Sequence, residues 1–519
     1  MRKIRGGAAV GAGVDRRGMV AGLLAWPTVG AAGVARAATD SAEGPTGHWK
    51  RAETARFVVH SDGDQGVLGD YAVKLEDFDM VLRALHGMPI DQVPPRKLDV
   101  YLLNDTHEMR RALPGADETL RGYYSADSDD IVCVAIRGRA SNAETDDTVL
   151  HEYVHHFMKQ YFNYAYAPWL LEGYAEYFMT TEFKGDDILI GKFNTNRAYW
   201  IMNGKWMPLS DLLSKSPWEI ASPGENYYPL SWLLTHYMMS DPTRYAQLTA
   251  YMKAVGDGTP AVAAMEGATG KSLTVLTADL KAYTRTNLPV RAFTRKRKRA
   301  VEVTTTVMPA SADDLLLEKV RMVGGIHDDE KAAFIEDIHR RAARHPGDRL
   351  AELTLARAEL LAGTLPACQV VLDRRLAVAP DDNEALELKA LALMVQGDAD
   401  PAARPALHKD ASRLLGKAFQ VDGNRYQTLL AYARSRQVAP GYPSDNVMEG
   451  LLLANELAPQ VAQVTLTTVQ ALAMRADYRR AVVLLKPLAN DPHGGGGGQA
   501  ARKLLVDLEA MAARSKTAG

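Results

Sequence analysis

The chain has 519 residues, 47% of them hydrophobic and 24% charged, with 61 Lys and Arg against 63 Asp and Glu. That is too long for one ordinary core and apolar enough to build two or three, so the composition excludes a disordered chain and predicts a multidomain globular one. Only two cysteines occur, Cys133 and Cys368, which excludes a disulfide framework and a Cys-based metal site and leaves His and carboxylates as the ligands for any metal.

The start of the chain carries early positive charge, an apolar stretch from Met19 to about Val34, and then Ala35-Arg36-Ala37, an A-x-A cleavage pattern. Residues 1–37 are therefore read as an export signal, of the general secretory type or, given Arg16-Arg17 before the apolar stretch, a twin-arginine-like one. The stretch is about 16 residues long and broken by Pro27, short of the roughly 20 a membrane span needs. A periplasmic or extracellular protein with no span after cleavage is expected. Residues 1–37 hold six of the basic and one of the acidic residues, so the remainder carries 55 against 62, a net charge of −7. Nucleic acid is thereby excluded as a partner class.

From Ala55, ARFVVHS reads as a strand, 68–87 as an amphipathic helix ended by Gly87, and 96–103 as a second strand. GYYSADSDDIVCVAI, 122–136, predicts a hairpin turning at Ser125 to Asp130. Residues 141–162 have an acid-rich start, and the spacing of Val149, Leu150, Tyr153, Val154 and Phe157 suits a half-buried helix. A further helix, 168–183, begins with proline in its first turn, and others occupy NYYPLSWLLTHYMM and the region to about Thr286. Residues 291–328, with the basic run Arg295 to Arg299, read as a solvated linker.

Beyond about residue 329 the composition turns to Ala, Leu and Arg, and Pro346, Ala356 and Gly363 recur 34 positions later as Pro380, Ala390 and Gly397. The spacing resembles the tetratricopeptide repeat, best matched by 379–398, with a looser copy at 419–436 and the turn and second helix of a later unit at 475–492. A repeat region over 329–510 is expected to bury its own core, so that its removal leaves a folded domain. The glycine run Gly494 to Gly498 is expected to break the chain before a terminal helix.

The chemistry centres on HEYVHH, 151–156, which lies inside the predicted helix. Positions i and i+4 of a helix share a face about 6 Å apart, so His151 and His155 can aim imidazole nitrogens at one ion, with Glu152 beside it. A third ligand is needed, and a loop and a proline-started helix separate His155 from Glu172, a layout that can return one carboxylate to the same point. Glu176, four residues after Glu172, shares its helix face and is placed to meet the second nitrogen of a ligating histidine. His156 falls off the ligand face and is read as a packing residue.

HEYVH followed by PWLLEGYAEYF resembles the gluzincin zinc metallopeptidases of the MA clan, in particular the small bacterial peptidase-MA-like domains, over roughly residues 48–290. The resemblance implies an α+β zincin-like domain followed by the all-α repeat region, with one Zn2+ held by His151, His155 and Glu172. Two neutral imidazoles and a carboxylate leave such an ion an open position for water. Glu152 is then the general base for attack on a peptide carbonyl, and Tyr228 of the later helix, with Tyr227 as the fallback, the donor to the developing oxyanion. Peptide or protein is the implied substrate, expected along the strand Ile131 to Ile136, with the repeats presenting a surface for a protein partner. The alternative is a degenerate peptidase-like protein in which the repeats carry the function as an adaptor.

Overall fold

A computed structural model describes residues 46–137, 147–164, 166–193, 195–295, 300–490 and 495–517. The expected export signal, the start of the helix expected at 141–162 and residues 296–299 of the basic run lie outside them. Among the described residues, no helix is long and apolar enough to cross a membrane.

The first part is built on strands β1 (Thr46–Glu53), β2 (Phe57–Ser61), β3 (Leu98–Leu103), β4 (Gly122–Ala126), β5 (Ile131–Ile136), β6 (Glu182–Lys184), β7 (Asp187–Ile190), β8 (Arg291–Thr294) and β9 (Thr304–Pro309). Its helices are α1 (Gln65–Leu85), α2 (Thr106–Ala112), α3 (Asp147–Tyr161), α4 (Pro168–Met179), α5 (Thr195–Asn203), α6 (Leu209–Ser214), α7 (Tyr227–Met239), α8 (Pro242–Gly256), α9 (Ala261–Thr269) and α10 (Leu273–Tyr283). Six strands form one sheet in the order β4-β5-β3-β2-β1-β9, parallel at β5-β3 and β3-β2 and antiparallel elsewhere. Its middle strands are apolar on both faces, as FVVHS and IVCVAI require, because both faces are covered. Phe57, Val59, Val100 and Cys133 pack with α1, α3 and α4. On the other face Tyr101, Leu103, Val132 and Val134 pack against α2 and a later helix, α11 (Ser311–Arg321).

The described residues of 291–328, a stretch expected as a linker, thus belong to the folded unit: β8 completes a small sheet with β6 and β7, β9 pairs with β1 at the sheet edge, and α11 covers the sheet's back. Arg295, first of the basic run, is paired with Asp77 at 2.7 Å.

The tail continues as α12 (Lys331–Ala342), α13 (Arg349–Ala362), α14 (Leu365–Val378), α15 (Asn383–Ala399), α16 (Arg404–Val421), α17 (Tyr426–Ser435), α18 (Asp445–Leu457), α19 (Ala462–Met474), α20 (Tyr478–Ala489) and α21 (Gly495–Thr517). The interval of 34 reappears as the offset between the first residues of α13 and α15, and Ala356 and Ala390 are both fully buried where neighbouring helices meet. The glycine run does not precede the terminal helix. Instead α21 begins inside it at Gly495, and the docking of Ala501, Leu505 and Leu508 sustains a helix that propensity alone would not.

In the middle of the tail, α13 to α15 close a small apolar cluster of their own, and the clusters flanking it take in Leu315 of α11 and Ala431 of α17. Helices α17 to α21 instead share one core with the first part of the chain. The joint is polar at its rim: Tyr426 Oη donates to Asp127 O at 2.6 Å, Gln427 Nε2 to Asp129 O at 3.1 Å, Gln160 Nε2 to Leu457 O at 3.3 Å, and Asn490 Nδ2 to Gly256 O at 2.8 Å.

Candidate metal centre

Two helices build the site. The apolar stripe of α3 seats it on the sheet, and two tyrosines anchor its underside to α1: Tyr153 Oη donates to Asp79 Oδ1 at 2.5 Å, and Arg83 donates to Asp79 at 2.7 Å and to Tyr161 Oη at 2.5 Å. Asp79 and Arg83 are fully buried. Burial pushes the Asp79 carboxyl up, opposed by Arg83, the Tyr153 hydroxyl and Arg56, so the network holds only while all its members are present.

Pro168 opens α4 without losing a helical hydrogen bond, and the buried Trp169 fixes it by donating from Nε1 to Tyr251 Oη at 2.8 Å. Gly173, beside Glu172, sets how closely α4 crosses α7. A Cβ there would stand 2.3 Å from both Ser231 O and Thr235 Oγ1, so only glycine permits this approach.

The result brings His151, His155 and Glu172 together, with one ligating atom of each within 4.8 Å of the others. His151 Nε2 donates to Glu172 Oε2 at 3.1 Å, and His155 Nε2 lies 3.6 Å from the same oxygen. Ligand atoms about 2.0–2.1 Å from a tetrahedral ion stand about 3.3 Å apart, so the two His-to-Glu spacings suit one zinc ion, and two imidazoles with one carboxylate are a zinc donor set. Burial pushes the Glu172 carboxyl up, yet His155 and His151 outweigh it and hold it well below the usual carboxylate range. Burial lowers the His151 imidazole, but Glu172, Glu152 and Glu176 raise it to about 9. Glu152 stands outside the three, 8% exposed, its carboxyl raised by burial against the pull of both histidines.

No family model, curated protein or solved structure matches this chain.

The geometry of the site itself therefore carries its chemistry. Glu176 approaches His151 Nδ1 at 3.7 Å, an ion-pair distance longer than a hydrogen bond. Its hydrogen bonds go to Arg197 of α5, which grips it with Nε at 2.9 Å and Nη2 at 2.8 Å. The same guanidinium lies 5.2 Å from the centre of the Tyr228 ring, and that ring is 6.5 Å from the ring of His151. Tyr228 is thus beside the cluster, while Tyr227 is turned away and donates to Lys215 O at 2.9 Å. His156 packs as expected, its Nδ1 3.2 Å from Tyr124 Oη, and burial lowers its imidazole to about 3.

Arg197 was not singled out in the sequence. A buried glutamate such as Glu176 demands a cation or donor, but nothing in the spacing says which arginine answers. The strand Ile131 to Ile136, expected to receive the substrate, is β5, which pairs with β3 on one side and β4 on the other. Both of its edges are used, and β4 is the sheet's edge at this end.

Proposed function

We propose that this chain is an exported, zinc-dependent metallopeptidase of gluzincin type whose tail is built of tetratricopeptide-like repeats. The observation that carries the reading is the convergence of His151, His155 and Glu172 from two helices with the buried carboxylate of Glu152 beside them. These three residues would hold the ion. When bound, zinc supplies a Lewis acid that polarises the scissile carbonyl and acidifies water.

The protein's own groups do the rest. Glu152, its carboxyl raised by burial, accepts a proton from the attacking water and returns it to the leaving amine, as a base tuned toward neutrality does well. The Tyr228 hydroxyl, kept protonated by burial and by the surrounding carboxylates, donates to charge developing on the carbonyl oxygen. Arg197 keeps Glu176 in place behind His151 and so limits the tilt of that ring. An extended peptide would add to the sheet along β4, where backbone groups face outward.

Glu152→Gln tests the reading. The variant is expected to retain one zinc per chain by metal analysis and to lose peptide hydrolysis by roughly 10²–10⁴-fold, because the ligands remain and the base is gone. Undiminished hydrolysis would refute the assignment, and a wild-type protein that binds zinc without turnover would leave the adaptor reading.

A further inference from the structure

Away from the metal centre, the cavity with the most specific chemistry lies between α16, α17 and α18. It encloses about 640 Å3 of empty space, counting its open mouth. Leu415, Phe419, Leu429, Tyr432 and Leu453 form an apolar wall. Glu449 breaks it: the residue lines the cavity, and its Oε2 is buried with no hydrogen-bond partner. A buried acceptor left without a donor costs stability. The nearby Thr428 hydroxyl does not relieve it, being committed to Glu387 Oε2 at 2.8 Å.

The next residue, Gly450, lines the same space from the interior of α18. Glycine inside a helix is also destabilising relative to alanine. Close packing does not demand it here, since an added Cβ would meet only Leu429 Cδ2 at 3.6 Å, an ordinary contact. Gly173, with backbone 2.3 Å from where its Cβ would be, is the opposite case. Two adjacent residues therefore each forgo stability, and what they have in common is a cavity kept open and negatively charged.

We propose that this cavity binds a small organic ammonium ion, its aromatic or branched alkyl body against the leucine wall and its N–H groups donating to Glu449 Oε2. Charge complementarity selects a cation over an anion, and the rings of Phe419 and Tyr432 add to its attraction. The occupant braces α17, whose Tyr426 and Gln427 hold the turn between β4 and β5. The site does not depend on the metal chemistry, so zinc-free protein should bind equally well.

Calorimetric titration of the full chain with phenethylammonium, phenethyl alcohol and 3-phenylpropanoate tests it. Saturable binding of the ammonium at one site per chain is expected, with the alcohol weaker and the carboxylate silent. Glu449→Gln should weaken the ammonium by roughly 10-fold or more while leaving the ligand-free Tm unchanged or higher. Gly450→Leu should abolish binding by filling the space. Should that variant not fold, Gly450→Ala fits without a clash and should still weaken binding several-fold. Equal binding of the three probes, no saturable binding, indifference to Glu449→Gln or to Gly450→Ala, or a ligand-free Tm lowered by several degrees in Glu449→Gln would each overturn the proposal.

Discussion

Glu172 and Glu176 stand one helical turn apart, and their neighbours separate their roles. Glu172 meets both imidazoles, whereas Glu176 is held by Arg197 and touches only the back of His151. Glu172→Gln removes a ligand charge and is expected to be the more damaging to zinc affinity, with Glu176→Gln costing roughly 10–100-fold. Zinc titration against a chelator ranks them, and the reverse order would exchange their roles. His236 makes a separate case. It is 1% exposed on α7, its Nε2 donates to Gly191 O at 3.1 Å and its Nδ1 accepts from Tyr283 Oη at 2.9 Å. Burial lowers its imidazole to about 4, with the carbonyls of Gly191 and Pro289 opposing and Arg291 assisting. An unfolded histidine takes its proton near 6.5, so between about pH 6.5 and 4 the unfolded chain binds one proton more. Stability should therefore fall as pH drops through that window, by at most roughly 1.4 kcal/mol per pH unit from this residue. Urea midpoints of wild type and His236→Gln across the window check it: a slope that does not flatten in the variant removes His236 as the cause.

At the scale of elements, the crossing of α4 over α7 sets the site. Intrinsic propensity favours alanine over glycine in a helix by about 1 kcal/mol, so at a loosely packed position Gly173→Ala would stabilise. Here the Cβ would press on Ser231 O and Thr235 Oγ1. Forcing the helices apart is expected to cost about 1–3 kcal/mol or more and to shift Glu172 and Tyr228 away from each other, lowering both Tm and zinc affinity. Calorimetric unfolding decides the sign, and a stabilised variant would show that the two helices do not bear on each other as described. Tyr153 and Tyr161 do the corresponding work for α3, tying it to Asp79 and Arg83 of α1.

For the whole molecule, the tail is joined to the sheet-bearing first part of the chain in two places. The helix before it, α11, covers the sheet's back and packs through Leu315 on α12 and α13, and α17 to α21 merge into the core that also holds α3 and α4. Of the remaining clusters, that of α13 to α15 closes on itself, while its two neighbours take in Leu315 of α11 and Ala431 of α17. The expectation of a free-standing domain after removal of residues 329–519 is accordingly replaced: the fragment 1–328 would expose the faces covered by α17 to α21 and is expected to aggregate or to unfold well below the full chain. Light scattering and thermal unfolding of the fragment check this, and a monomeric fragment as stable as the full chain would count against it.

The sequence by itself determined what helical periodicity determines. Two histidines four apart share a face, a proline starts the next helix, and Glu172 falls where that helix returns; the intervals of 34 marked the tail's helices for the same reason, since each pattern is local to a few turns. Tertiary structure alone decided the pairings between distant segments. It turned the Tyr227 hydroxyl to Lys215 O and left the Tyr228 ring beside His151, and gave Glu176 its partner Arg197, 21 residues away. Strand register made β4 the edge in place of β5, and brought β9 from beyond the expected linker to β1. Such choices depend on which surfaces fit once helices and strands already exist, and no spacing along the chain encodes that fit.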